Sequence, residues 1–298
     1  SLATVATQDP LILSVANILM PSSDPGSENV DVFFFEGVGE IGLLASDIGK
    51  FTIELADITN VTNTITPFAG VTILGGSLTQ TVRPFGINVD FIDASLNKMR
   101  FDDFSDNATL DDSTGNNLSY AADYNGSVYT QAGLPFTVEV SGVVYQPADD
   151  LDLDEMPDAF ADLTNNAVTP SFGAEGEDVK FLAVTNDPST ATLGSLTVDG
   201  VIDGPISGIL GSKTASMVYS NVGIIDLYAS LVDSNYFSST VNLNGSVNNV
   251  GRFNPHRYSF TPTLSEGCPG FFTYSRQPFS VNLQVDALNF AGNITDGY

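Results

Sequence analysis

The sequence predicts an all-β protein built from tandem antiparallel β-sandwich domains, immunoglobulin-like in kind, with very little helix. Three observations carry this. Apolar residues alternate with polar ones, or come in short runs bounded by Gly, Asn, Asp and Pro. Only 15% of the 298 residues are charged, against roughly 25% in an average soluble domain, so Ser, Thr, Asn and Gly must supply the polar surface, as suits strands joined by many turns. Finally, a set of sequence marks recurs in the same order along the chain.

The elements follow in chain order. "IGLLAS" and "FTIEL" read as early strands and "INVDF" as the next. "FTVEVSGVV" places Phe136, Val138 and Val140 on one face. "VKFLAV", "SLTVDGVI", "IIDLYASL" and "HRYSFT" are further strands. "FSVNLQVDA" repeats the alternation with Phe279, Val281, Leu283 and Val285. Only "MPDAFADL" reads as a helical turn, with Pro157 near its start.

The recurring marks set the domain organisation. "VFFFEGVGEIGLLAS" returns as "MVYSNVGIIDLYAS", so Val38-Gly39 matches Val222-Gly223. "TVRPFGINVDF" returns loosely as "NVGRFNPHRYSF", so Arg83 matches Arg252. "VYTQAGLPFTVEV" returns as "FFTYSRQPFSVNL", so Pro135-Phe136 matches Pro278-Phe279. If the Arg mark opens a module, residues 1–81 are the back part of one. Residues 82–250 are then a complete module, and 251–298 the front of a next one. The chain is expected to be part of a longer array. Arg83 and Arg252, at the repeated module entrance, are expected to be partly buried and paired with a carboxylate across the module joint; an exposed strand-edge charge is the competing reading.

The charge balance is 36 acids against 9 bases, a net charge of −27. Such a surface repels phosphate backbones and excludes a nucleic-acid partner, while it attracts cations. No apolar run approaches the ~18 residues of a membrane helix. The nearest, "LILSVANILM" at residues 11–20, is a candidate strand to donate to a neighbouring subunit. One cysteine, Cys268, allows no disulfide within the chain.

Seven carboxylates and no base fill the fifteen residues of "DDLDLDEMPDAFADL", Asp149–Leu163. Asp150, Asp152, Asp154 and Asp158 stand at relative positions 1, 3, 5 and 9, and Asp162 is a further candidate ligand. Alternate carboxylates in a curled loop can surround Ca²⁺, which takes six to eight oxygens. The loop is not an EF-hand, because Glu155 stands where Gly is needed and Ala161 where Glu is needed. A solvated acidic loop is the competing reading. Catalysis is disfavoured: His256 is the only histidine, no G-x-S-x-G surrounds a serine, and zinc ligands are too few.

The run from "VGIIDLYASLVDSNYFSSTVNLNGSVNNVGRFNPHRYSFTP" to "FTYSRQPFSVNLQVDALNFAGNITDGY" resembles the large conserved region of MshQ-like proteins, and "TPSFG" with its surroundings fits too. These proteins are associated with a mannose-sensitive haemagglutinin pilus. The likeness covers roughly residues 30–298. It implies a non-enzymatic, extracellular, β-rich structural or adhesin-like protein whose partners are pilus or surface proteins, copies of itself among them. The lone Cys268 departs from the disulfide pairing expected of such a domain. Two alternatives stay open: a filament subunit that assembles by strand complementation, and a carbohydrate-binding module.

Overall fold

The computed structural model describes residues 17–19, 34–36, 38–39, 41–57, 73–92, 98–99, 110–111, 117–118, 128–158, 161–238 and 242–296. They fall into two compact units, Ser1–Arg83 and Pro84–Tyr298. Among the described residues there are strands and short 3-10 turns but no α-helix.

The first unit contains β1 (Asn17–Leu19), β2 (Phe34–Phe35), β3 (Val38–Gly39), β4 (Gly42–Leu44), β5 (Gly49–Asp57) and β6 (Ile73–Val82). β2 pairs antiparallel with β3, and β5 with β6. β1 pairs parallel with β4, Ile18 opposite Leu43. This pairing already uses the described part of "LILSVANILM", which counts against that stretch as a strand for a neighbour. Residues 11–16 and 20 lie outside the described residues.

The second unit begins with β7 (Gly86–Ile92), β8 (Lys98–Met99), β9 (Leu110–Asp111), β10 (Asn117–Leu118), β11 (Thr130–Gln131) and β12 (Pro135–Val143). It continues with β13 (Val179–Asp187), β14 (Leu196–Val198), β15 (Val201–Ile202), β16 (Ser212–Tyr219) and β17 (Gly223–Leu231). It closes with β18 (Asn244–Asn254), β19 (Arg257–Ser265) and β20 (Ser280–Leu288). A six-stranded sheet runs β15-β14-β16-β12-β7-β8, and a four-stranded sheet runs β11-β18-β17-β13. Except for the parallel β11–β18 contact, every pair in these sheets is antiparallel.

The period-2 pattern explains the core. Phe136, Val138 and Val140 of β12 are buried, as are Ala215, Met217 and Tyr219 of β16. From the other sheet come Phe181 and Ala183 of β13, Leu227 and Ala229 of β17, and Val247, Val250 and Phe253 of β18. Aromatic rings tie the sheets together. Phe253 lies 5.0 Å from Tyr219, 5.7 Å from Phe136 and 5.8 Å from Tyr129, centroid to centroid. β7 departs from simple alternation, because residues 86–91 are buried on both faces. Its second face holds Asn88 and Asp90, and the Asn88 amide donates to the Asp90 carboxylate at 2.9 Å.

β18 runs unbroken through positions 250 and 251, so the module limit read there falls inside a strand. Arg252 sits on β18, and Arg83 ends the first unit directly after β6. Both arginines are half-buried. The strand expected over "FSVNLQVDA" forms and pairs with β19, but its apolar face is exposed: Phe279 57%, Val281 50%, Leu283 55% and Val285 49%.

One acidic patch acts on stability. The Glu177 carboxylate accepts from the Phe237 backbone N–H at 3.1 Å. Burial pushes its pKa up; the Phe237 hydrogen bond opposes this, and Asp233, Glu175 and Asp178 add repulsion. A carboxyl raised on folding favours the folded state when protonated. That contribution is present below its unfolded pKa and is lost as pH rises through the folded value. Glu177→Gln is therefore expected to melt about 1 °C above the parent at pH 7, a small gain because the group is only partly buried. The difference should close at pH 4, checked by thermal melts at both pH values.

Candidate functional site: an acidic loop on the sandwich edge

The loop leaves β12 through a 3-10 turn at Pro147–Asp149 and meets a second at Leu163–Asn165. Its ends are fixed by packing. Leu163 is buried with Phe85 and Val143, and Ala161 packs against them. Phe85 meets Tyr145 edge-on at 5.0 Å. Pro157 lies so close to Gly86 that a Cβ there would sit 2.5 Å from Pro157 Cγ. The loop is thus pinned to β7 at a position where only glycine fits.

Inside this frame the aspartates fold the backbone around themselves. Asp150 Oδ1 accepts from Asp154 N at 3.0 Å, and Asp158 Oδ2 from Leu151 N at 2.9 Å. Asp154 Oδ1 accepts from Met156 N at 2.9 Å. Leu153 and Glu155 take left-handed backbone angles, φ 61° and 67°, which turns the chain tightly. The helical turn expected over "MPDAFADL" does not form across its described residues. Its place is taken by bends and the 3-10 turn: Met156 N donates to Asp154 Oδ1, and Asp158 N reaches back to Asp149 O instead of to a carbonyl one turn earlier. Residues 159 and 160 lie outside the described residues.

The structure brings Asp150, Asp152 and Asp158 together: one carboxylate oxygen from each lies within 4.8 Å of the other two. With metal–oxygen distances of about 2.4 Å, oxygens around one Ca²⁺ can stand up to about 4.8 Å apart, so the three fit one coordination shell. Asp150 is 3% exposed, Asp158 is half-buried and Asp152 faces solvent. Asp154 and Asp162 do not belong to this group of three. Asp162 caps the second 3-10 turn instead, accepting from Thr164 N at 3.0 Å and Thr164 Oγ1 at 2.6 Å.

Sequence reading passed over two supports of the loop. Asp149 is buried, accepts from Asn166 Nδ2 at 2.7 Å, and its carbonyl accepts from Asp158 N at 2.8 Å. Asn166 Nδ2 also donates to Val144 O at 3.0 Å. The double Asp at 149–150 was the available signal: neighbouring carboxylates point apart, one into the protein and one into the cluster.

His256 lies elsewhere. Its Nδ1 is 2.6 Å from Gln131 Oε1 and its ring packs edge-on against Phe290 at 5.1 Å, so it joins β11 to the base of β19–β20. Cys268 is half-buried, its thiol 3.3 Å from Gln277 Oε1. The acidic stretch "FDDFSDNATLDD" lies outside the described residues except for 110 and 111. No helix among the described residues is long and apolar enough to cross a membrane.

Comparison with curated proteins gives no match. Comparison with protein families gives two. Residues 105–216 match the second domain of the DUF6701 family, and residues 221–298 match its third. The first match ends within β16 and the second begins just before β17, inside one compact unit whose four-stranded sheet draws β13 from one match and β17 and β18 from the other. Two consecutive domains, in the family's own order and over more than half of the chain, mean that the protein belongs to the DUF6701 family.

Proposed function

We propose that this protein is a non-enzymatic structural or adhesin-like component of an extracellular, pilus-linked surface assembly, and that its acidic loop holds a calcium ion that stiffens the sandwich. The observation that carries the calcium reading is the convergence of Asp150, Asp152 and Asp158 on a loop pinned at both ends. Three carboxylates contribute up to six oxygens, and water completes the shell. Their mutual repulsion without an ion gives the loop a reason to bind one. The ion would tie β12, β7 and the following 3-10 turn into one body. The surface setting is supported by the net charge of −27 and by the sequence marks shared with MshQ-like pilus proteins. Labelling intact source cells with an antibody to this chain tests the location; signal only after permeabilisation refutes it.

Calcium that binds only the folded protein stabilises it by about 2.7 kcal/mol at a concentration 100-fold above its Kd. At this size that corresponds to about 5–10 °C. Chelation is expected to lower the melting temperature by that amount, and added Ca²⁺ to restore it. Asp152→Asn should abolish the response while keeping the oxygen that accepts from Asp154 N at 3.3 Å. Asp162→Asn should leave it intact, since Asp162 serves as a cap. Equal melting with and without chelator would sink the calcium reading.

A further inference from the structure

β13 lies at one margin of the four-stranded sheet, and its partner strand in that sheet is β17. On the opposite side it makes one bridge: Val179 N donates to Ile206 O at 3.1 Å, and Ile206 N to Val179 O at 2.7 Å. That bridge fixes which backbone groups face outward. They alternate along a strand, so the N–H and C=O of Phe181 and Ala183 point to the same side as those of Val179. The bridging segment then leaves the edge. Gly204 N turns back to Val201 O, and Asp203 N to Leu196 O. Among the described residues no backbone group pairs with the outer side of Phe181 or Ala183.

A cleft of about 660 Å³ opens at this edge. Its walls include Phe181 and Ala183 of β13, Leu193 and Leu196 where the chain enters β14, and Asp203. The size falls within the range of binding clefts, about 300–1,000 Å³. A strand laid along β13 would turn every second side chain inward, onto the apolar wall, and the others outward beside the exposed Leu182 and Val184. Open edges in native proteins are blunted by charge and by bulges. β13 has both: Lys180 near one end, and the register shift between Thr185 and Asp187 at the other. Between them lies a window, residues 181–185, that admits one short strand. The charges around that window are acidic. Glu177 and Asp178 precede β13, Asp187 ends it, Asp203 lines the cleft, and Asp233 acts on Glu177. Lys180 is turned to the protein itself, its Nζ donating to Val232 O at 3.0 Å.

We infer that the outer edge of β13 adds an extended strand from a different, basic protein, with small or apolar side chains at alternate positions and Lys or Arg on both flanks. Main-chain hydrogen bonds to Phe181 and Ala183 supply the pairing, and the cleft selects the inward side chains. The flanking carboxylates select the charge and speed the encounter. A second copy of this chain fits poorly. Two β13 edges paired antiparallel would set Glu177 and Asp178 of one chain near Asp187 of the other, between molecules of net charge −27. The inference goes beyond the calcium reading and is independent of it, because it uses no residue of the acidic loop.

The probe is a synthetic peptide of alternating Val and Thr with two Lys at each end, titrated into the 298-residue chain. Hydrogen exchange at the Phe181 and Ala183 amides should be fast in the free protein and slow by about tenfold or more with the peptide bound. The same peptide flanked by Glu should bind about tenfold more weakly at low salt, and the gap should close as salt rises. Ala183→Pro removes an N–H from the open side of an edge strand, where proline is tolerated, and should lose the peptide. Asp203→Lys, at an exposed side chain, should weaken the Lys-flanked peptide and favour the Glu-flanked one. Absence of binding by the Lys-flanked peptide overturns the inference. So does binding that leaves the Phe181 and Ala183 amides unprotected. Equal binding of the two peptides overturns the basic partner, as does protection of those amides that grows with protein concentration alone, which would mean self-pairing.

Discussion

Phe253→Ala is expected to destabilise the second unit by about 3–5 kcal/mol, the range for removing a fully buried phenylalanine. Phe253 is 1% exposed and sits where the two sheets meet. Its ring contacts Tyr219 of β16, Phe136 of β12 and Tyr129 before β11, so truncation opens a cavity bounded by both sheets. Burial pushes the phenol pKa of the half-buried Tyr129 up. Urea unfolding followed by tyrosine near-ultraviolet circular dichroism reads the loss directly. Phe271→Ala, at a side chain 91% exposed, is the matched control and should shift stability by less than about 0.5 kcal/mol. Equal behaviour of the two variants would mean that the aromatic layer does not hold the sheets together.

The strands that carry this layer were legible because their faces are unequal. Phe136, Val138 and Val140 alternate with Thr137, Glu139 and Ser141, and period-2 reading places them correctly. The same reading found β20 and its apolar side, yet Val281 and Leu283 are exposed, because alternation reports which side is apolar and not whether a cover exists. Around Arg252 the strand continues the sheet, with Phe253 opposite Gly223. That pairing spans a distance in sequence that no local pattern encodes.

The acidic loop shows the same limit at close range. Spacing grouped Asp150, Asp152, Asp154 and Asp158, with Asp162 as a further ligand, and of these the structure brings Asp150, Asp152 and Asp158 together. Spacing could not tell that Asp154 and Asp162 bind backbone N–H groups, since a carboxylate two residues before a free N–H competes equally for cation and for amide. Nor could it find the cluster of Asn186, Asp226 and Asn249. There Asn186 Nδ2 donates to Asp226 Oδ1 and to Asn249 Oδ1, and Asn249 N donates to Asp226 Oδ1, each at 2.9 Å. These residues come from β13, β17 and β18 and meet beside irregularities in the strand registers, where the ladder leaves polar groups to be satisfied.

Gly245→Ala should be more damaging still, costing about 4 kcal/mol or more and leaving the second unit largely unfolded. A Cβ at Gly245 would stand 1.8 Å from Ile87 O and 2.8 Å from Ile87 C. The obstacle is backbone, so no rotamer change relieves it; β18 would have to move off β7. That contact also carries the candidate site. Asn244 O lies against Gly86, and a Cβ at Gly86 would meet it at 3.2 Å and Pro157 Cγ at 2.5 Å. The approach of β18 to β7 and the seating of the acidic loop are therefore two sides of one joint. Gly86→Ala is expected to loosen the loop and abolish calcium stabilisation while β18 stays protected from hydrogen exchange. Gly245→Ala should lose protection across β7, β12 and β18 together. Gly76→Ala in the first unit, where a Cβ meets nothing within 4 Å, should alter neither. If Gly245→Ala kept native exchange rates in β7, the close approach of the two sheets would not hold in solution, and the pinned loop would lose its physical basis.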